Sequence, residues 1–156
     1  MRLNNFTDYS LRVLMYLAAE PGRRATIDEI AGAFDISRNH LMKVVQCLGK
    51  AGVLNNLRGR GGGLELARAP DGINIGAVVR ATEGVARPAE CFEREANTCC
   101  IVPGCRLRGV LAEAVAAFEA VLERYSLADL VDSEDVRIDL RALFVHRDSP
   151  PGVSRG

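Results

Sequence analysis

SRNHLMKVVQCLGKAGVLNNLRGRGGGLELA, residues 37–67, decides the fold. Ser37 is a good helix cap, and Leu41, Val44, Val45 and Leu48 follow it at helical spacing, so a helix runs to about Leu48. Gly52 terminates it. Leu54–Leu57 and Leu64–Leu66 read as short strands, with RGRGGG, residues 58–63, as the hairpin tip between them. No acidic residue lies between Asp35 and Glu65, whereas Arg38, Lys43, Lys50, Arg58, Arg60 and His40 all do. A basic helix followed at once by a basic hairpin reads as a recognition helix and a wing rather than as a helix and a plain linker.

The upstream residues complete the motif. Phe6, Tyr9, Val13, Leu14 and Leu17 predict a helix over 5–19, stopped by Pro21-Gly22. Thr26-Ile27-Asp28-Glu29 is a capping box that opens a second helix through Ala33. Three helices and a hairpin make a winged helix-turn-helix over residues 1–70, in a fold that is mainly α with a small β-hairpin wing. Such a domain binds double-stranded DNA with Ser37, Arg38, Asn39, His40 and Lys43 in the major groove. Arg58 and Arg60 follow the backbone or minor groove, and Gly61 and Gly62 let the main chain come close to phosphates.

Downstream, Asn74 caps a helix from Ile75 to about Glu83, with Ile75, Val78 and Val79 inward. Pro88–Cys105 has no periodicity; with the linking helix it forms a segment over 71–105. Leu107, Val110, Leu111, Ala114, Val115, Phe118, Val121, Leu122 and Tyr125 then keep helical rhythm for five turns. So long a stripe beside so small a domain predicts a dimerisation helix within 106–130, packed on a second copy of the chain. Residues 131–156 read as a tail, with RDSPPGVSRG from Arg147 expected to be disordered.

The totals narrow the class. At 156 residues and 48% hydrophobic the chain suffices for one ordinary domain with an extension. No apolar run reaches the ~18 residues of a membrane span, and MRLNNFTDYS lacks the features of a signal peptide. A cytoplasmic protein with reduced thiols is the expectation. Net charge is zero, but acids dominate from Glu113 to Asp148, so the basic segment is a local polyanion site. His40 and His146 have no nucleophile beside them in the sequence, and an enzyme is not expected.

Five cysteines, an odd number, favour metal or redox chemistry over a disulfide framework. Cys91, Cys99, Cys100 and Cys105 have neither the paired knuckles nor the histidine of structural zinc. Widely spaced thiolates in one loop suit an iron–sulfur cluster better. Adjacent residues rarely both reach one centre, so Cys91, Cys105 and one of Cys99 and Cys100 are the candidate ligands. The fourth must come from elsewhere in the chain or from a partner. Cys47, within the third helix, reads as a small core residue. A zinc site or a disulfide-forming oxidant sensor on the same DNA-binding frame is the rival reading. An electron-transfer iron–sulfur protein would need neither basic helix nor wing.

NFTDYSLRVLMYLA, SRNHLMKVV, GRGGGLELA, IGAVVR, the C-x-I-x-P-x-C loop followed by RL, and YSLADLV together resemble the nitric-oxide-sensing repressors of the iron–sulfur winged-helix regulator family, over residues 1–132. The resemblance implies a homodimer that binds near-palindromic operator DNA when each subunit carries a cluster, 4Fe–4S in preference to 2Fe–2S. Nitric oxide attacks the cluster, DNA is released, and detoxification genes are expressed. The C-x-I-x-P-x-C pattern puts the family's ligands on Cys91, Cys99 and Cys105 and leaves Cys100 at a variable position. The fourth ligand implied is Asp8 of the other subunit. The related iron–sulfur-assembly regulators instead use a histidine three residues after their last cysteine; Arg108 stands there, so that ligand set is absent. Without the resemblance, Asp8 reads as a first-turn acid favoured by the helix dipole and paired with Arg12 one turn on.

Overall fold

Polar side chains set where the helices begin. Asn4 accepts from the Thr7 N–H at 2.7 Å and opens α1, Asn5–Ala19. At α2, Ile27–Phe34, both arms of the capping box are made, Glu29 N–H to Thr26 Oγ1 at 3.1 Å and Thr26 N–H to Glu29 at 2.5 Å. Ser37 caps α3, Arg38–Lys50, through the His40 N–H at 3.4 Å, and Asn74 caps α4, Ile75–Glu83, through Ala77 N–H at 2.9 Å. Replacing such a cap costs about 1 kcal/mol. The computed structural model describes residues 2–84, 87–93 and 97–145. Its remaining elements are the strands β1, Leu54–Leu57, and β2, Gly63–Leu66, and the helices α5, Arg106–Glu123, and α6, Glu134–Val145. Short 3-10 turns lie at Pro70–Gly72, Glu90–Phe92, Val102–Gly104 and Ala128–Leu130.

The core lies where α1, α2, α3 and the hairpin meet. Leu14, Ile30, Leu41, Leu48 and Leu64 are fully buried there. On α1 the expected apolar stripe is shifted: Phe6 and Tyr9 are only half-buried, while Thr7 and Ser10 are completely enclosed. Ser10 remains compatible with burial by donating to the Phe6 carbonyl at 2.8 Å. The turn between α2 and α3 passes through Asp35 at φ 54, a left-handed position an aspartate tolerates. Gly52, at φ 68, follows α3 as its terminator.

β1 and β2 pair antiparallel, with Leu54 opposite Leu66 and Leu57 opposite Gly63. Leu54 and Leu64 are buried in the core, and Leu66 packs against it partly buried. A third segment joins them: Ala25 and Leu64 exchange N–H···O bonds of 3.1 and 2.7 Å. The wing is thereby tied to the loop before α2.

α4 and α5 are joined at one end. Asn74, besides capping α4, donates its side-chain N–H to the carbonyls of Glu123 at 2.7 Å and Tyr125 at 3.3 Å. Ile75 N–H reaches Tyr125 O at 2.9 Å and Leu127 N–H reaches Ile73 O at 2.8 Å. Gly76 is what lets the helices come so close, since a Cβ there would stand 2.8 Å from Glu123 Cγ and 3.0 Å from its backbone N. The stripe on α5 divides in two. Leu111, Val115, Phe118 and Leu122 are half-buried, whereas Leu107, Val110, Val121 and Tyr125 remain exposed.

The segment read as a tail contains a further helix. Ser133 accepts from the Val136 N–H at 3.2 Å, and Arg137, Leu140, Arg141 and Phe144 make the inner face of α6. Phe144 stacks on Tyr16 at 4.8 Å and meets Phe34 edge-on at 5.2 Å, which docks α6 on α1 and α2. The disorder expected from Arg147 onward concerns residues outside those described. No described helix is long and apolar enough to cross a membrane.

Candidate functional site

The outer face of α3 borders an open groove with Asn39, Met42, Lys43, Gln46 and Asn56 on its walls. Asn39 and Lys43 were expected there. Met42, Gln46 and Asn56 were not, although the spacing 39, 42, 43, 46 is one helical face and could have disclosed the first two. Met42 is half exposed, unusual for so apolar a side chain on a bare helix. Ser37 is occupied as the cap. His40 is exposed but its ring lies 6.2 Å from that of Tyr9, on the α1 side, and it does not border the groove. Arg38 is paired with Asp28 of α2.

The wing places Arg58 and Arg60 in solvent. Its tip turns through Gly59 at φ 94 and Gly61 at φ 78, with the Gly62 N–H bonded to Gly59 O at 2.9 Å. Gly62 has no room for a side chain, because a Cβ would lie 2.2 Å from the Leu57 carbonyl oxygen. Arg24 holds the tip from the side, donating to Glu65 at 2.8 Å and to Gly61 O at 3.1 Å. That hydrogen bond and the charge of Arg24 keep the Glu65 carboxyl below its usual range. A carboxyl lowered in this way keeps the tie above the ordinary carboxylate pKa and loses it as pH falls through the lowered value.

The cysteine loop lies at the other end of the molecule's logic. Cys91 sits in the turn Glu90–Phe92, and Cys105 is the residue before α5. Arg108, in the first turn of α5, joins the two: its Nε donates to Cys91 O at 3.3 Å and its guanidinium lies over the Phe92 ring at 5.6 Å. The Cys99 N–H bonds Asn97 Oδ1 at 3.1 Å. Cys91, Cys99 and Cys105 are half-buried free thiols, while Cys100 is exposed. Cys47, read from the sequence as a small core residue, is half-buried and borders a cavity with Leu48, Val53 and Val78 at the edge of the core. No set of three or more His, Cys, Asp or Glu among the described residues is close enough to hold a single metal ion. The donors are nevertheless soft sulfur, the chemistry a cluster takes, and cluster ligands stand farther apart than those of one ion.

Asp8 is paired within its own helix. Its carboxylate lies 2.7 Å from Arg12, and its side chain is 42% exposed, enough to be reached by another chain. Arg12 also lies over the Phe34 ring, 5.8 Å from its centre.

Comparisons with known proteins agree with this architecture. The Rrf2 family, described as an iron-dependent transcriptional regulator, matches residues 3–133. The HTH-type transcriptional regulator NsrR of Shouchella clausii is 51% identical over 92% of this chain and 95% of its own. That of Bacillus subtilis is 52% identical over 86% and 93%. Among solved structures, CymR, the global cysteine regulator of B. subtilis, superposes with a TM-score of 0.69 at 27% identity, covering 85% of this chain and 97% of its own. The T. potens IscR structure shares the fold with a TM-score of 0.68 at 24% identity, covering 85% and 87%. With a winged helix-turn-helix in place and the family match running through the cysteine loop to residue 133, the chain belongs to the Rrf2 family of transcriptional regulators.

Proposed function

We infer that the chain is a cluster-dependent transcriptional repressor that senses nitric oxide, and that its homodimer binds a near-palindromic double-stranded operator. The observation that carries this reading is a bare basic helix and wing on the same chain as three free, half-buried cysteines in the stretch that leads up to α5. Relatives named NsrR at about half identity over nearly the whole chain support it. Cys91, Cys99 and Cys105 would hold the cluster, 4Fe–4S in preference to 2Fe–2S and one per subunit, with Asp8 of the other subunit as fourth ligand. When bound, the cluster supplies iron that nitric oxide can attack. Asp8, when not so used, pairs with Arg12 as in the single chain. The exposed residues Leu107, Val110, Val121 and Tyr125 of α5 face the second copy.

On DNA, Asn39, Lys43 and Gln46, together on the outer face of α3, would meet base edges, and Arg58 and Arg60 would meet phosphates. Arg60→Ala is expected to weaken binding to operator and to random duplex alike. It should lower the slope of log K against log salt by about one. Asn39→Ala should instead disturb sequence preference. Titrations of both variants against duplexes at several salt concentrations check this; unchanged operator affinity in both would remove α3 and the wing from the interface.

The function as a whole is tested on protein purified without oxygen. A broad visible absorption band, with iron and sulfide mass by native mass spectrometry, is expected, and operator binding should fall as nitric oxide is added. Protein that carries zinc, or no metal, and still binds operator would overturn the cluster reading while leaving the DNA-binding one intact.

A further inference from the structure

Asp28 is an acid in an awkward place. It projects beside the N-terminal end of α3, where a polyanion would lie, and its side chain is 68% exposed. Every charged residue from Ile36 to Leu64, the stretch it faces through Arg38, is basic. An acid at that edge works against binding to phosphates. The helix dipole explains an acid in the first turn of α2, but Glu29 already fills the capping role there. The dipole also does not explain why the Asp28 carboxylate reaches across to the first residue of α3.

Both carboxylate oxygens of Asp28 accept from one nitrogen of Arg38, Nη1. The Nε and Nη2 edge of the guanidinium is left free by this contact. That edge is a two-donor fork, the arrangement that reads O6 and N7 of guanine in the major groove. An exposed arginine alone samples many rotamers, and an exposed ion pair adds little to folding. Its useful effect is on direction: Arg38, exposed at the start of α3, is held through Nη1, and Nε and Nη2 make no hydrogen bond among the described residues.

We propose that Asp28 is a positioning residue for operator specificity, which fixes Arg38 so that its free edge reads a guanine in each half-site. This rests on the operator-binding reading of α3. Asp28 itself touches no base. It acts through Arg38, and it gives up some general affinity for DNA in exchange for selectivity.

The test is selection of bound duplexes from a randomised DNA library by the full-length protein, purified without oxygen, as wild type, Asp28→Asn, Asp28→Glu, Arg38→Ala and the double variant Asp28→Asn/Arg38→Ala. The wild type should require a G·C pair at one position of each half-site, by about 5- to 150-fold over other pairs. Arg38→Ala should lose that requirement. Asp28→Asn should lose most of it, Asp28→Glu should recover part, and the double variant should lose no more than Arg38→Ala. Circular dichroism confirms that each variant is folded; the exposure of both side chains leads us to expect that it is. If Asp28→Asn binds every duplex more tightly with its sequence preference unchanged, Asp28 is only a repelling charge and the inference is wrong. If the wild type selects no sequence at all, the operator-binding reading fails and this inference falls with it.

Discussion

Cys99→Ala protein, purified without oxygen, is expected to contain neither iron nor sulfide, while Cys100→Ala protein keeps both. The two residues are neighbours, and adjacent residues rarely both reach one centre. Cys99 is half-buried, its N–H bonded to Asn97 Oδ1 at 3.1 Å, and it stands at the first cysteine of the C-x-I-x-P-x-C pattern. Cys100 is exposed and opens the turn that continues into Val102–Gly104. Cys91→Ala and Cys105→Ala should match Cys99→Ala, because Arg108 draws the turn that carries Cys91 toward the start of α5, where Cys105 lies. Cys47→Ala should behave as wild type in iron content. All five variants are read by iron and sulfide analysis. A cluster kept in Cys99→Ala and lost in Cys100→Ala would move the ligand to the other member of the pair.

Gly62→Ala should do the largest damage to DNA binding of any single methyl added to the wing. The new Cβ would stand 2.2 Å from Leu57 O, 2.9 Å from Gly59 O and 3.0 Å from Leu57 C, all of them backbone atoms that cannot step aside alone. The turn must open, and with it the pairing of Leu57 with Gly63. Overpacking of this kind costs about 1–3 kcal/mol. Arg58 and Arg60 would lose their common placement, so the salt slope should fall by about two as both phosphate contacts go. Gly61→Ala is the control. Its φ of 78 is strained for alanine but nothing lies within 4 Å of the added atom, so only the left-handed cost of about 1–2 kcal/mol applies. Anisotropy titrations over a salt series, beside thermal melts, separate the two. Equal affinity and slope for Gly62→Ala and wild type would show that the wing does not touch DNA.

The parts of the fold written in local chemistry were legible in the sequence. The Thr26 to Glu29 capping box, the Ser37 and Asn74 caps, and the glycine-rich tip each announce an element within a few residues, and each lies where it was expected. What joins distant residues was not legible. Arg24 and Glu65 are 41 positions apart, and Arg38 and Asp28 are charged residues on two different helices. The bridge of Ala25 to Leu64 is a single pair with no periodicity to betray it. α6 was missed for another reason. Its inner face mixes Arg137 and Arg141 with Leu140 and Phe144, while Ile138 and Leu143 lie outside, so apolar residues occur all round and no face stands out. In the cysteine loop, spacing gave the number of thiols, but the hold of Arg108 on Cys91 needed the fold to bring residues 91 and 108 together.

The joint at Asn74 gives α5 a mechanical character. Its C-terminal end is clamped by the Asn74 bonds to Glu123 O and Tyr125 O and by the close contact at Gly76. Its other end, with Leu107 and Val110 in solvent, is tied more lightly: among the described residues Arg108 holds it, through Cys91 O and the Phe92 ring. A rod held firmly at one end and lightly at the other behaves as a cantilever. With 18 residues at about 1.5 Å each, the arm is about 27 Å long, and a tilt of about 5° at the clamp carries the cysteine end through about 2 Å. The same geometry runs backward. A small displacement imposed at the cysteine end arrives at Asn74 as torque, at the start of the helix that packs on α1.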